Sequence, residues 1–124
     1  MNSYEILTKN RNIAVIGVTE DKDKYGYKIF KTLLDYNYNV YGISNKYKEV
    51  LNQSLYSSLH NINKPIDIVV FVVNKKFAYS YVDEMNDLGI QIAWMQPNTY
   101  DDELIQYMEG LTIIKDCILV QLKK

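Results

Sequence analysis

Two hydrophobic periods alternate along this chain, and that alternation constrains its fold more than any other feature. Residues 12–17, Asn-Ile-Ala-Val-Ile-Gly, form a short apolar run closed by glycine and read as a buried strand. Over residues 25–36 the apolar side chains Ile29, Phe30, Leu33 and Leu34 recur at helical spacing. Asn37 is placed to end that helix in the left-handed conformation. A second strand is expected at 39–44, a third at 67–73 rich in β-branched residues, a fourth at 90–95 and a fifth at 111–114. Phe77, Ala78, Tyr81, Val82, Met85 and Leu88 mark one face of a helix closed by Gly89, and residues 101–109 form another, closed by Gly110. Strands separated by helices of this length need crossover connections and so pair in parallel. With right-handed crossovers the result is one α/β domain over residues 1–124, a doubly wound, Rossmann-like fold with a five-stranded parallel sheet. Elsewhere the pattern is weaker. Ser3 is expected to cap a small leading helix through Leu7. A short helix is expected at 47–51, with extended chain at Leu55-Tyr56. The tail, 116–124, fits either a helical turn or an edge strand.

Composition removes several classes of function. A chain of 124 residues has room for one good core. No apolar run approaches the ~18 residues that span a bilayer. The opening MNSYEILTKNR has no apolar signal-peptide core, so a cytoplasmic location and no membrane attachment are expected. Net charge is −1, and of the 14 basic residues only Arg11 is arginine, which argues against a nucleic-acid footprint. One cysteine, Cys117, and one histidine, His60, exclude an internal disulfide and a Cys/His metal cage.

In an open parallel sheet, ligands bind outside the carboxyl ends of the strands, at the point where strand order reverses. Here those ends are Gly17-Val18-Thr19, Ser44-Asn45-Lys46, Val72-Val73-Asn74 and Met95-Gln96-Pro97. The first long helix starts near Tyr25-Gly26, and its free N–H groups suit a phosphate at the same place. The usual dinucleotide fingerprint, G-x-G-x-x-G with an acid about twenty residues on, does not fit. Gly17 is followed by Val18 and Thr19, the next glycine is Gly26, and the second strand ends in Asn45 and Lys46 rather than a carboxylate. A lysine there suits a phosphorylated ribose, as in coenzyme A or NADP. NADP chemistry would also need a substrate domain from a partner. His60 reads as an exposed loop residue and Cys117 as a buried, inert thiol. Asp101, Asp102 and Glu103 read as first-turn acids at a helix N-terminus rather than a catalytic dyad.

Several segments together resemble a known family. They are Ile13-Ala14-Val15-Ile16-Gly17-Val18-Thr19, Lys24-Tyr25-Gly26-Tyr27, Asn39-Val40-Tyr41-Gly42-Ile43-Ser44-Asn45, Tyr56-Ser57-Ser58-Leu59, Pro65-Ile66-Asp67-Ile68-Val69, Trp94-Met95-Gln96 and Asp116-Cys117. In order and spacing the chain is similar to the small bacterial CoA-binding domain proteins, the stand-alone form of the domain that opens the alpha subunit of succinyl-CoA synthetase. Where that family often carries arginine before the first helix and before the late cysteine, this chain has Lys24 and Lys115. The resemblance implies a ligand, coenzyme A or an acyl-CoA, and no reaction. It implies contacts from Gly17, Val18, Thr19, Lys24, Tyr25 and Gly26 around the pyrophosphate and from Asn45 and Lys46 at the ribose phosphate. Val72, Val73 and Gln96 would line the remaining wall. The expected function is therefore a CoA or acyl-CoA binding protein without catalysis of its own. Its alternative is an NADP-type oxidoreductase or regulatory subunit working with a partner. A homodimer or another protein partner is compatible with either.

Overall fold

The computed structural model describes residues 2–124. Its core is a parallel sheet of five strands. They are β1 (Asn12–Ile16), β2 (Asn39–Ile43), β5 (Ile68–Phe71), β6 (Ile92–Met95) and β7 (Thr112–Lys115), in the spatial order β2-β1-β5-β6-β7. β3 (Glu49–Val50) and β4 (Gln53–Ser54) form a separate small hairpin. Helices α1 (Ser3–Lys9), α2 (Tyr25–Asp35), α3 (Ala78–Leu88), α4 (Asp102–Tyr107) and α5 (Ile118–Leu122) complete the chain, with two 3-10 turns at Leu59–Asn61 and Lys75–Phe77. Strand order reverses between β1 and β5, each of which starts a crossover in the opposite direction.

Side-chain alternation divides the core into two layers. Ile13, Val15, Ile68, Val70 and Trp94 face one side of the sheet, against Leu7 of α1, Ile29, Phe30 and Leu33 of α2, and Ile118 and Leu122 of α5. Ala14, Ile16, Val69, Phe71, Ala93 and Met95 face the other, against Val82 and Met85 of α3, Leu104 of α4, and Leu59 and Ile62. Strands β1, β5 and β6 are thus apolar on both faces, as a doubly covered parallel sheet requires.

Helix α2 stops where expected. Asn37 has φ of +64°, and its N–H and that of Tyr38 close the last turn on the carbonyls of Leu34 and Leu33. The weaker expectations need correction. The cap of α1 is Asn2, whose side chain accepts from the Glu5 N–H at 2.9 Å while Glu5 reaches back, and Ser3 is the first helical residue. Residues 47–51 do not form a helix. Leu51 and Asn52 both take positive φ, 53° and 60°, and turn the β3–β4 hairpin. The tail forms α5 rather than an edge strand.

Candidate functional site

A cleft of about 680 Å³ opens at the carboxyl ends of the strands. It brings together every residue that the sequence assigned to a ligand: Gly17, Val18, Thr19, Lys24, Tyr25, Gly26, Asn45, Lys46, Val72, Val73 and Gln96. These come from the β1–α2 connection, the end of β2, and the ends of β5 and β6.

Two glycines shape the β1–α2 connection. Gly17 has φ of +106°, and a Cβ there would stand 3.0 Å from the carbonyl carbon and oxygen of Val72. A Cβ on Gly26 would lie 2.1 Å from the Gly17 carbonyl oxygen. The start of α2 is therefore pressed against the end of β1, and the helix N-terminus faces the cleft with no side-chain cap from Lys24. Gly17→Val would therefore disturb the fold itself: at this positive φ, and against Val72, a branched side chain strains the backbone before any ligand arrives.

The end of β2 is fixed differently. The hydroxyl of Ser44 accepts hydrogen bonds from the N–H groups of Lys46 at 3.1 Å and Tyr47 at 2.9 Å. Asn45 and Lys46 are carried exposed on this turn, and the Lys46 ammonium lies 5.2 Å from the centre of the Tyr47 ring. Lys24, Lys46 and Asp23 are the charged side chains of the cleft wall.

Gln96 is only 4% exposed, and its amide is engaged within the protein. Its Oε1 accepts from the Ile118 N–H at 2.7 Å and its Nε2 donates to Cys117 Sγ at 3.7 Å. Gln96 thus holds the start of α5 against the end of β6. Trp94, fully buried, acts beside it: its indole N–H donates to the Asp116 carbonyl at 2.9 Å. The Asp116 carboxylate in turn accepts from Cys117 N–H at 2.7 Å and Gln121 Nε2 at 2.8 Å. The Trp-Met-Gln and Asp-Cys segments are therefore two halves of one clamp, and Cys117 is placed on the cleft wall, partly exposed rather than buried.

Asn74, named from the sequence as part of a strand end, also lines the cleft, and so do Tyr47, Phe77, Tyr81 and Thr99, which sequence reasoning missed. Tyr47 and Thr99 follow the ends of β2 and β6 by a few residues, the one signal that could have found them. Tyr81 is partly buried, and that burial, with Glu84 nearby, pushes its phenol pKa up, so it is neutral at physiological pH. His60 lies outside the cleft, exposed on the turn Leu59–Asn61, with Glu84 at 3.8 Å and Asp87 at 3.6 Å. Asp101 caps α4 by accepting from the Leu104 N–H at 2.9 Å, the structural role expected of it. Among the described residues no cluster of His, Cys, Asp or Glu could hold a metal ion, and no helix is long and apolar enough to cross a membrane.

The family described as CoA binding domain matches residues 11–123. An uncharacterised protein of Bacillus subtilis, YneT, is 29% identical over 119 residues, covering 94% of this chain and 88% of its own length. The ADP-forming acetate–CoA ligase of Methanocaldococcus jannaschii is 31% identical over 92 residues, which cover 73% of this chain and 13% of the ligase. Among solved structures, a hypothetical protein from Pyrococcus horikoshii superimposes with a TM-score of 0.89 at 31% identity, over 96% of this chain and 86% of that one.

Proposed function

This chain belongs to the CoA binding domain family, and from that premise we propose that it binds coenzyme A or an acyl-CoA in the carboxyl-end cleft without performing a reaction of its own. The observation that carries the reading is the run of the cleft from the uncapped α2 N-terminus to Lys46. A helix N-terminus with backbone pressed close to it suits a pyrophosphate. A lysine at the end of the neighbouring strand, with no carboxylate beside it on the Ser44 turn, suits a phosphate on the ribose rather than a free 2′-hydroxyl. In this reading Gly17, Val18, Thr19, Lys24, Tyr25 and Gly26 surround the pyrophosphate. Asn45 and Lys46 take the ribose phosphate, while Val72, Val73 and Gln96 form the wall beyond. The reading without catalysis is supported by the position of His60, the chain's one histidine, which stands outside the cleft. The acetate–CoA ligase matches this chain over a small part of its length, so ligase chemistry would have to come from elsewhere.

Calorimetric titration of the full chain tests the reading. CoA should bind more tightly than NAD, NADP or dephospho-CoA. The preference over dephospho-CoA should be on the order of tenfold, the size of one charge-assisted contact at an exposed rim. Tighter binding of NAD or NADP overturns the assignment.

A further inference from the structure

The cleft is divided by charge. Its charged side chains, Asp23, Lys24 and Lys46, all belong to the β1–α2 connection or the end of β2. The half beyond β5 and β6 is walled by Val73, Phe77, Tyr81, Pro97, Thr99 and Cys117 and carries no charged side chain. In the order β2-β1-β5-β6 these halves follow one another at the ~4.8 Å spacing of neighbouring strands, so the floor extends over roughly 14 Å. A ligand with its phosphates on the charged side must direct its other end into the uncharged half.

Phe77 is the most exposed large hydrophobic side chain there, at 49%. The fold nevertheless holds it in place. Its N–H donates to the Asn74 carbonyl at 2.9 Å, and the Asn74 side chain accepts from the Lys76 N–H at 3.1 Å, fixing the turn that carries the ring. A large ring carried on a fixed turn and left in water is a surface that a ligand can dry. The nearest cations, Lys75 and Lys76, are not among the side chains that line the cleft. Lys75 is paired with Asp101 at 3.0 Å, and the Lys76 ammonium lies 5.1 Å from the Phe77 ring centre. A carboxylate entering this half would lose water and find no cation in the wall to replace it.

Resting on the CoA-binding reading above, we infer that this half of the cleft holds the acyl part of an uncharged acyl-CoA thioester, with Phe77 as a specificity-determining residue. The experiment titrates the full chain with CoA, butyryl-CoA and succinyl-CoA, whose acyl groups have the same chain length and differ in a terminal carboxylate. Butyryl-CoA should bind about fivefold more tightly than CoA, the gain from partly burying its methylenes, and succinyl-CoA no more tightly than CoA. Phe77→Ala should remove the butyryl advantage and leave CoA affinity and melting temperature unchanged. Phe77→Leu, still apolar, should keep most of the advantage. If none of the three ligands binds, the CoA reading falls and this inference with it. If CoA binds and butyryl-CoA gains nothing, the inference alone falls. It falls equally if succinyl-CoA matches butyryl-CoA, or if Phe77→Ala weakens CoA and butyryl-CoA alike.

Discussion

In the proposed CoA reading, Lys46 is the side chain on which ligand identity turns. It stands on a turn already fixed by the Ser44 hydroxyl, so its backbone is in place before any ligand binds, while its ammonium remains on a flexible stem. A charged contact at such a rim is typically worth ~1.5–3 kcal/mol, with the exposed setting favouring the lower end. Lys46→Ala should therefore remove most of the preference for CoA over dephospho-CoA and barely change affinity for dephospho-CoA. The wild-type preference should shrink as salt rises. Equal weakening of both ligands would place the lysine away from the ribose phosphate. The variant should melt with wild type when no ligand is present, because an exposed lysine past a strand end contributes little to folding. Gly17 offers no such clean test. Its backbone geometry is a requirement of the fold as well as of any phosphate that approaches it.

At the scale of elements, helix α4 shows how one side chain serves two contacts. Asp101 caps it, and the same carboxylate meets the Lys75 ammonium at 3.0 Å. The Leu104 N–H first, and Lys75 after it, lower the Asp101 pKa from 3.8. A carboxyl whose folded pKa is lowered stabilises the fold above its unfolded value and loses that contribution as pH falls through the folded value. Asp101→Ala should thus melt earlier than wild type at neutral pH, and the gap should close as pH falls from about 5 to below 3.8. Asp101→Asn, which keeps an acceptor for Leu104, should recover part of the difference; a gap independent of pH would refute the charge contribution. The long helices and the sheet strands were legible because each carries its own period and its own stop, such as Asn37 after α2 and Gly89 after α3. The hairpin was not, because the stretch Tyr47 to Leu51 suits a helix locally, and the turn depends on Leu51 adopting a positive φ that its residue type disfavours. The tail was ambiguous because α5 is held from far along the chain, by Gln96 and Trp94 through Ile118 and Asp116. The site residues nearest the strand ends could be read from topology alone. Phe77 and Tyr81 could not, since their approach to the cleft depends on how the turn at Lys75–Phe77 leads into α3.

In the whole molecule, one indole reports on the core. Trp94 is the single tryptophan, fully buried at the centre of β6, and it does not line the cleft. Its emission should be blue-shifted in the native state and insensitive to ligand. On chemical denaturation it should shift red in one transition, with the same midpoint as the far-ultraviolet circular dichroism. Saturating CoA should move both midpoints upward together, with unfolding free energy raised by about 2.7 kcal/mol when free ligand is at a hundred times its dissociation constant. Separate midpoints would mean that the helices melt apart from the sheet. The first and last helices, α1 and α5, pack against one another, with Leu7, Ile118 and Leu122 in a single apolar cluster. The two ends of the domain therefore leave it as neighbours. A fold arranged in this way is a portable part: joined to a longer polypeptide, it would meet its neighbour from one face of the sheet, the face that α1 and α5 cover.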